Sequence, residues 1–148
     1  MKYLFIGNRM AVLNEMLLLG LQVKVIPILT REQVVSSILK EKYDVLVSNG
    51  CPYILPISKL GKHIFINIHP SLLPKFKGKS PIKEAFREKA QMGATCHYMI
   101  DEVDSGEIIS QVTFDCKELD ECYRQSYKAE AKVFRRAYKK LYDRGTIK

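Results

Sequence analysis

Three side chains that can move protons or donate hydrogen bonds follow two apolar segments of the chain. Asn67 and His69 stand at the end of the segment Ile64 to Ile68, and Asp104 lies in an acidic loop after the segment Ala94 to Ile100. Residues i and i+2 of a strand share a face, so the amide of Asn67 and the imidazole of His69 could converge on one atom. A carboxylate can keep an imidazole charged and can order a water that carries a proton. The trio therefore predicts a site for proton transfer and for stabilising developing negative charge.

The two apolar segments are expected to be strands of one α/β sheet, with ligands at the carboxyl ends of its parallel strands. Short apolar runs alternate with helical patterns along the chain, as they do in βαβ units. The expected elements are strands at 3–6, 23–29, 43–47, 64–68 and 94–100 and helices at about 10–19, 31–42, 82–89 and 119–142. This order predicts an α/β fold with a mostly parallel central sheet flanked by helices, closed by a long C-terminal helix.

Local signals support parts of this pattern. Pro27 indicates an edge position for the second strand, because proline cannot donate to a ladder. Thr30 and Gln33 form a capping box that starts the next helix. The last helix carries an amphipathic stripe that is expected to pack on the sheet, made of Tyr123, Tyr127, Glu130, Phe134, Ala137 and Leu141. The charged member of the stripe, Glu130, is expected to be a rim carboxylate bonded to backbone or to a tyrosine, without a catalytic role.

Composition limits the class of protein. At 148 residues the chain is expected to form one domain, 1–148. Its formal charge of +8 favours anionic partners such as phosphates, nucleotides, folate glutamates or nucleic acid. The four cysteines show no metal-binding or scaffold spacing, so reduced thiols in a cytoplasm and no bound metal are expected. No apolar run reaches the roughly eighteen residues of a membrane span, so no membrane partner is expected.

Three motifs resemble the catalytic core of the folate-dependent formyltransferases. They are Val47 to Pro56, then Ile66 to Gly78 with its Asn-Ile-His-Pro-Ser-Leu-Leu-Pro, and Gly93 to Ile109 with its Val-Asp-Ser-Gly. The group includes glycinamide ribonucleotide transformylase, methionyl-tRNA formyltransferase, sugar N-formyltransferases and formyltetrahydrofolate deformylase. The likeness extends over Asp44 to Gln111, and the N-terminal half is shorter than is usual in the group by one strand and one helix.

The resemblance implies a Rossmann-like formyltransferase fold and transfer of the formyl group of 10-formyltetrahydrofolate to an amine. Asn67, His69 and Asp104 match the catalytic trio of the group. In that chemistry Asn67 and His69 donate to an oxyanion, and losing one such donor costs about 10²–10³ in rate. His97 is implied to orient the acidic loop. The slot for the pterin ring of the folate is implied at Pro52, Tyr53, Ile54, Leu55, Asp101 and Val103.

The acceptor is left open by these motifs. Gly78 to Ile82 resembles the methionyl-tRNA and sugar enzymes more than the purine enzyme, and the tRNA enzyme carries a further C-terminal domain. A small amine, phosphorylated or nucleotide-linked, is therefore expected, with a nucleotide-linked amino sugar first and nucleic acid not expected. Arg9 and the turn around it could seat its phosphate. A deformylase, a non-catalytic binder of folate or a nucleotide, and a homodimer that completes the acceptor pocket are alternatives that stay open.

Overall fold

The structure, a computed structural model, describes residues 1–148 and contains six strands and four α-helices. The strands are β1 (Lys2–Ile6), β2 (Gln22–Val25), β3 (Val45–Asn49), β4 (Ile64–His69), β5 (Met92–Tyr98) and β6 (Ile108–Phe114). The helices are α1 (Ala11–Leu18), α2 (Arg31–Lys40), α3 (Pro81–Arg87) and α4 (Leu119–Asp143), with a 3₁₀ turn at Ile57–Lys59. None of the helices combines the length and the apolar character needed to cross a bilayer.

All six strands form one sheet in the order β2-β1-β3-β4-β5-β6. The first four run parallel, which confirms the predicted α/β class with a mostly parallel sheet and a long C-terminal helix. β5 runs antiparallel to β4, and β6 runs antiparallel to β5. The expectation that both site segments end at the carboxyl edge of parallel strands is therefore wrong for β5. Residues 99–107 must turn back to bring Asp104 to that edge.

The sheet buries a separate hydrophobic cluster on each face. On one face Val47, Ile66 and Ile68 pack with α1 and with Val133 and Phe134 of α4. On the other face Leu4, Leu46 and Phe65 pack with α2 and with the loop that follows β3. Alternation along β4 assigns Asn67 and His69 to this second face, because Ile66 and Ile68 point to the first.

The predicted edge position and helix start are both confirmed. β2 is an edge strand, and it ends at Val25, two residues before Pro27, rather than at Leu29. The backbone N–H of Gln33 donates to Oγ1 of Thr30 at 3.2 Å, and the Gln33 side chain accepts from the Thr30 backbone N–H in return. β6 was not anticipated. Its Ser110, Gln111 and Thr113 interrupt the apolar pattern by which a strand is recognised.

Two expectations about the last part of the chain are wrong. Tyr123 and Tyr127 of the predicted α4 stripe are exposed, because the buried face of the first turns of the helix is formed by Cys122, Ser126 and Ala129. The reduced-thiol expectation fails for Cys116 and Cys122, which form a disulfide across a Cα–Cα distance of 5.3 Å. The start of α4 turns back towards the end of β6 and brings these two residues together, a proximity that their spacing in the sequence does not reveal.

Candidate active site

A pocket of about 460 Å³ opens at the carboxyl edge of the parallel strands. It is bounded by Arg9 after β1, by the loop that follows β3, by Asn67 and His69 of β4 and by Tyr123 of α4. Its volume lies in the range of small-molecule sites. The pocket also reaches Asp104, so the structure brings the three predicted catalytic side chains to a single cavity.

The amide of Asn67 is oriented by His97, its partner in the β4–β5 register. Nδ1 of His97 lies 2.8 Å from the carbonyl oxygen of Tyr98, which only accepts, so Nδ1 carries the proton. Burial lowers the pKa of His97, and the neutral ring therefore presents Nε2 as an acceptor. Nδ2 of Asn67 donates to this Nε2 at 3.1 Å. His97 thereby determines which end of the Asn67 amide carries its N–H groups towards the site.

His69 is buried and both of its ring nitrogens face protein groups. Nε2 lies 2.7 Å from the carbonyl oxygen of Phe76 and must donate to it. Nδ1 lies 3.5 Å from Oδ2 of Asp104, an ion pair when the ring carries two protons. The loop that contains Phe76 therefore covers the nitrogen that would otherwise face the pocket.

Asp104 joins the other two catalytic candidates. Its Oδ1 lies 3.5 Å from Nδ2 of Asn67, and its Oδ2 accepts from the backbone N–H of Gly78 at 2.9 Å. Asp104 has a φ of 53°, a left-handed conformation that residues other than glycine rarely adopt. Such conformations cluster at functional sites, where surrounding contacts hold them.

A polar network supports the turn directly after β4. Oγ1 of Thr95 donates to the carbonyl oxygen of Ser71 at 2.7 Å and accepts from the backbone N–H of Leu73 at 3.1 Å. Nε2 of Gln111 donates to the carbonyl oxygen of Leu73 at 2.9 Å. A Cβ at Gly93 would come within 2.5 Å of the Leu72 side chain, so this turn packs directly on β5.

The predicted pterin-slot residues all border the pocket, but their side chains differ in how far they are exposed. Pro52, Ile54 and Val103 expose their side chains, whereas Leu55 is buried in the cluster on the α2 face. The hydroxyl of Tyr53 donates to the carbonyl oxygen of Leu29, which ties its loop to the segment before α2.

Asp101 borders the pocket and also contacts the 3₁₀ turn. Its Oδ1 accepts from the backbone N–H of Ser58 at 3.0 Å, and hydrogen bonds from Ser58 lower its pKa. This contact joins the acidic loop to the loop after β3. The two walls of the pocket on this side are therefore linked.

An ion pair that the sequence did not indicate forms a further wall of the pocket. Glu130 is fully buried, not at the rim, and its carboxylate binds the Arg9 guanidinium through Nε at 2.6 Å and through Nη2. Nδ2 of Asn49 and Oγ of Ser126 also donate to it, at 2.9 and 2.8 Å. A charged residue within the apolar stripe of α4 indicated that Glu130 would have a buried partner. The sequence did not indicate that this partner is Arg9, which lies 121 residues away.

The fold and this site define an α/β protein whose pocket carries an amide, an imidazole and a carboxylate at the carboxyl edge of a mostly parallel sheet. The family described as Formyl transferase matches residues 24–138. The chain therefore belongs to the folate-dependent formyltransferase family, as the motifs predicted.

Individual relatives match parts of the chain. The chain is 37% identical to methionyl-tRNA formyltransferase of Bacillus pumilus over 103 residues, which are 64% of this chain and 32% of that enzyme. It is 51% identical to formyltetrahydrofolate deformylase 2, mitochondrial, of Arabidopsis thaliana over 53 residues, which are 35% of this chain and 16% of that protein. The chain thus spans about a third or less of the length of these curated relatives.

A solved structure resembles the entire chain. The formyltransferase PseJ from Anoxybacillus kamchatkensis, in complex with UDP-4,6-dideoxy-4-formamido-L-AltNAc and tetrahydrofolate, superposes with a TM-score of 0.76 at 27% identity. The match covers 100% of this chain and 79% of PseJ.

Proposed function

We propose that this protein transfers the formyl group of 10-formyltetrahydrofolate to the primary amine of a small acceptor, with a nucleotide-linked amino sugar as the first candidate. The observation that carries the proposal is the meeting of Asn67 and His69, from β4, with Asp104, from a loop more than thirty residues further along the chain, in one pocket. Acyl transfer to an amine needs donors for a developing oxyanion and a route for a proton, and these side-chain types supply both.

The residues around the pocket fit a folate. Ile54, Ile100 and Val103 leave 61%, 49% and 37% of their surface exposed beside the cavity, which is apolar area that a ring system would cover. The hydrogen bond between Ser58 and Asp101 holds together the two loops that carry these apolar side chains. When bound, 10-formyltetrahydrofolate supplies the activated formyl group.

The contacts suggest a separate task for each polar side chain. Asn67 uses one N–H on His97, and its other N–H has only the long 3.5 Å approach to Asp104, so it is available to a formyl oxygen. Asp104 orders a water that takes the proton of the attacking amine and passes it to the nitrogen of the departing tetrahydrofolate. His69 joins Asn67 as a donor through Nε2 once the Phe76 carbonyl has moved aside.

The likeness to PseJ supports an amino-sugar acceptor, because it extends over the full length of this chain and the PseJ complex contains a formylated nucleotide sugar. Identity to methionyl-tRNA formyltransferase makes an aminoacyl-tRNA the competing amine. Both acceptors present a primary amine to the same trio. Comparing them directly decides between them.

Hydrolysis of formyltetrahydrofolate is the second candidate function. The observation that favours it is the 51% identity to the Arabidopsis deformylase over 53 residues. In that reaction the trio would direct water, not an amine, at the formyl carbon. Amine dependence of turnover separates the two functions.

The test measures tetrahydrofolate and formate produced from 10-formyltetrahydrofolate, with and without UDP-4-amino-4,6-dideoxy-L-AltNAc, glycinamide ribonucleotide or methionyl-tRNA. The proposal expects tetrahydrofolate only with an amine, best with the amino sugar, and its loss in His69→Ala. His63→Ala is the matched control, because His63 is an exposed histidine stacked on Tyr43. Formate release without an amine would instead establish the deformylase, and folate binding without turnover a non-catalytic relative.

A further inference from the structure

Arg9 is half engaged by the protein and half open to the pocket. Its Nε and Nη2 bind the Glu130 carboxylate, whereas Nη1 donates to no atom of the chain. The side chain keeps 25% of its surface exposed and borders the cavity, as Tyr123 does. A guanidinium carries five N–H donors, so those on Nη1 are free for a ligand.

The carboxylate that holds Arg9 has no capacity left for a ligand of its own. Glu130 accepts from two nitrogens of Arg9, from Nδ2 of Asn49 and from Oγ of Ser126. An ionised carboxylate offers about four acceptor sites, and here four donors occupy them. Glu130 therefore acts on the pocket only through Arg9, by holding its guanidinium in one orientation.

The backbone around Arg9 is arranged so that the side chain can cross close to β3. The N–H of Arg9 donates to the carbonyl oxygen of Asn49 at 3.3 Å, and a Cβ at Gly50 would come within 2.9 Å of Cγ of Arg9. A Cβ at Gly7 would come within 1.9 Å of the Asn49 carbonyl oxygen. Two glycines thus let the turn after β1 press against the end of β3 and direct Arg9 across the edge of the sheet.

Arg9 and the pterin-slot loop approach the pocket from opposite faces of the sheet. The loop after β3 packs with the α2 cluster, whereas Arg9 is anchored to α4 on the other face. If the folate lies against the exposed apolar side chains of the first wall, the part of the pocket left for the amine-bearing molecule is the part that Arg9 and Tyr123 line. Arg9 is therefore placed to contact the acceptor and not the donor.

We infer that Arg9, positioned by Glu130, determines acceptor specificity by donating from Nη1 to an uncharged oxygen, a ring hydroxyl or an amide carbonyl, of the amine-bearing molecule. This inference rests on the proposed function. An uncharged oxygen suits the site because the charge of Arg9 is already balanced by Glu130 at contact distance. The planar fork of arginine, two nitrogens on the carboxylate and one on the ligand, cannot be reproduced by lysine.

The experiment is steady-state kinetics of wild type, Arg9→Lys, Glu130→Gln and the matched control Arg124→Lys, with whichever amine of the panel above is formylated. Arg124 lies exposed on α4, outside the network. We expect Arg9→Lys to lower kcat/KM for the acceptor about ten- to a hundredfold, with KM for 10-formyltetrahydrofolate unchanged. Glu130→Gln should act in the same direction. Arg9→Gln, which removes the charge, should leave the salt dependence of the acceptor KM as it is in wild type, because the oxygen that Arg9 recognises carries no charge and any acceptor phosphates bound elsewhere contribute equally in both proteins.

The outcomes separate this inference from the proposed function. If wild type formylates an amine and Arg9→Lys has the same kcat/KM for it, the role of Arg9 is overturned and the proposed function stands. An equal loss of kcat/KM for the donor and for the acceptor would also overturn that role, because it would indicate general damage to the protein. A salt dependence of the acceptor KM that is steep in wild type and lost in Arg9→Gln would overturn the uncharged-oxygen assignment in favour of an anionic group. No formylation of any amine by wild type overturns the proposed function and this inference with it. Ser126→Ala, a milder change to the same carboxylate, serves if Glu130→Gln does not fold.

Discussion

Nε2 of His69 donates to the carbonyl oxygen of Phe76 across 2.7 Å. This contact, together with the bond from the Gly78 N–H to Asp104, fastens one loop to two of the three catalytic candidates. The backbone of the loop reaches them through left-handed residues, Phe76 at a φ of 58° and Gly78 at 83°. The loop after β4 is thus part of the site, and the ring of His69 is oriented by it.

His69→Gln tests the chemical role of the imidazole apart from its contact with the loop. A glutamine amide can donate to the Phe76 carbonyl, so the loop should stay in place. It cannot form an ion pair with Asp104, and kcat should fall by about 10²–10³. Single-turnover formyl transfer measures the loss, and His63→Gln is the control. A His69→Gln protein with wild-type kcat would remove His69 from the mechanism.

Asp104→Asn tests the proton route. Asparagine keeps an oxygen that accepts from Gly78, so we expect the fold to be retained while kcat falls by about 10²–10⁴, the usual contribution of a positioned acid or base. Asp101→Asn is the matched control on the same loop. Its carboxylate is bound to Ser58, so its kcat should stay close to that of wild type. Equal losses in both variants would mean that the loop needs two carboxylates for its shape and that Asp104 has no special role.

His97 makes stability depend on pH in a defined direction. Burial holds its pKa below the usual 6.5, so on acidification the unfolded chain takes up a proton before the folded protein does. The free energy of unfolding should therefore be insensitive to this residue above pH 6.5 and fall below it, by at most about 1.4 kcal/mol per pH unit.

Urea unfolding between pH 5 and 8 measures how the free energy of unfolding depends on pH. His97→Gln should remove the part of this dependence that comes from His97. Glutamine can still accept from Asn67, which limits other damage. Identical slopes in wild type and His97→Gln would show that His97 titrates normally in the folded protein.

Glu130→Ala should be strongly destabilising. It leaves the Asn49 amide and the Ser126 hydroxyl buried without their partner and uncouples Arg9, a type of loss that costs about 3–5 kcal/mol. Chemical denaturation monitored by circular dichroism measures it. Glu84→Ala, which removes an exposed pair with Arg87, should give no measurable change. Equal stability of the two variants would mean that the Arg9–Glu130 pair is solvated in solution.

The disulfide between Cys116 and Cys122 should stabilise the junction of β6 and α4. It closes a short loop, with a sequence separation of 6, and loop-closure entropy assigns such a link about 2 kcal/mol. Replacing both cysteines with serine should lower the unfolding free energy by about that amount, and a dithiol reductant should lower it in wild type only. Thiol titration of the unreduced, unfolded protein should find two thiols, Cys51 and Cys96. Four thiols would show that the bond is absent.

Features of the structure that depend on neighbouring residues were predicted better from the sequence than features that depend on residues far apart in the chain. The capping box at Thr30 and the strand that carries Asn67 and His69 were predicted correctly, because each depends on neighbouring residues only. The edge position of β2 depends on the order of the strands, and it was predicted correctly only because Pro27 happens to mark it locally. The exposed Tyr123 was missed because the rotation of α4 about its axis depends on what packs against its first turns.

The amino-acid sequence by itself determined the family, the α/β class and the identity of the three candidate catalytic side chains, since motif chemistry and periodicity are written in consecutive residues. Only the tertiary structure decided that β5 runs antiparallel, that Phe76 covers His69 and that Glu130 holds Arg9 at the pocket. The physical reason is that a buried polar group needs a hydrogen-bond partner, and this partner can come from any position along the chain. Which groups meet is settled by how the strands and helices pack.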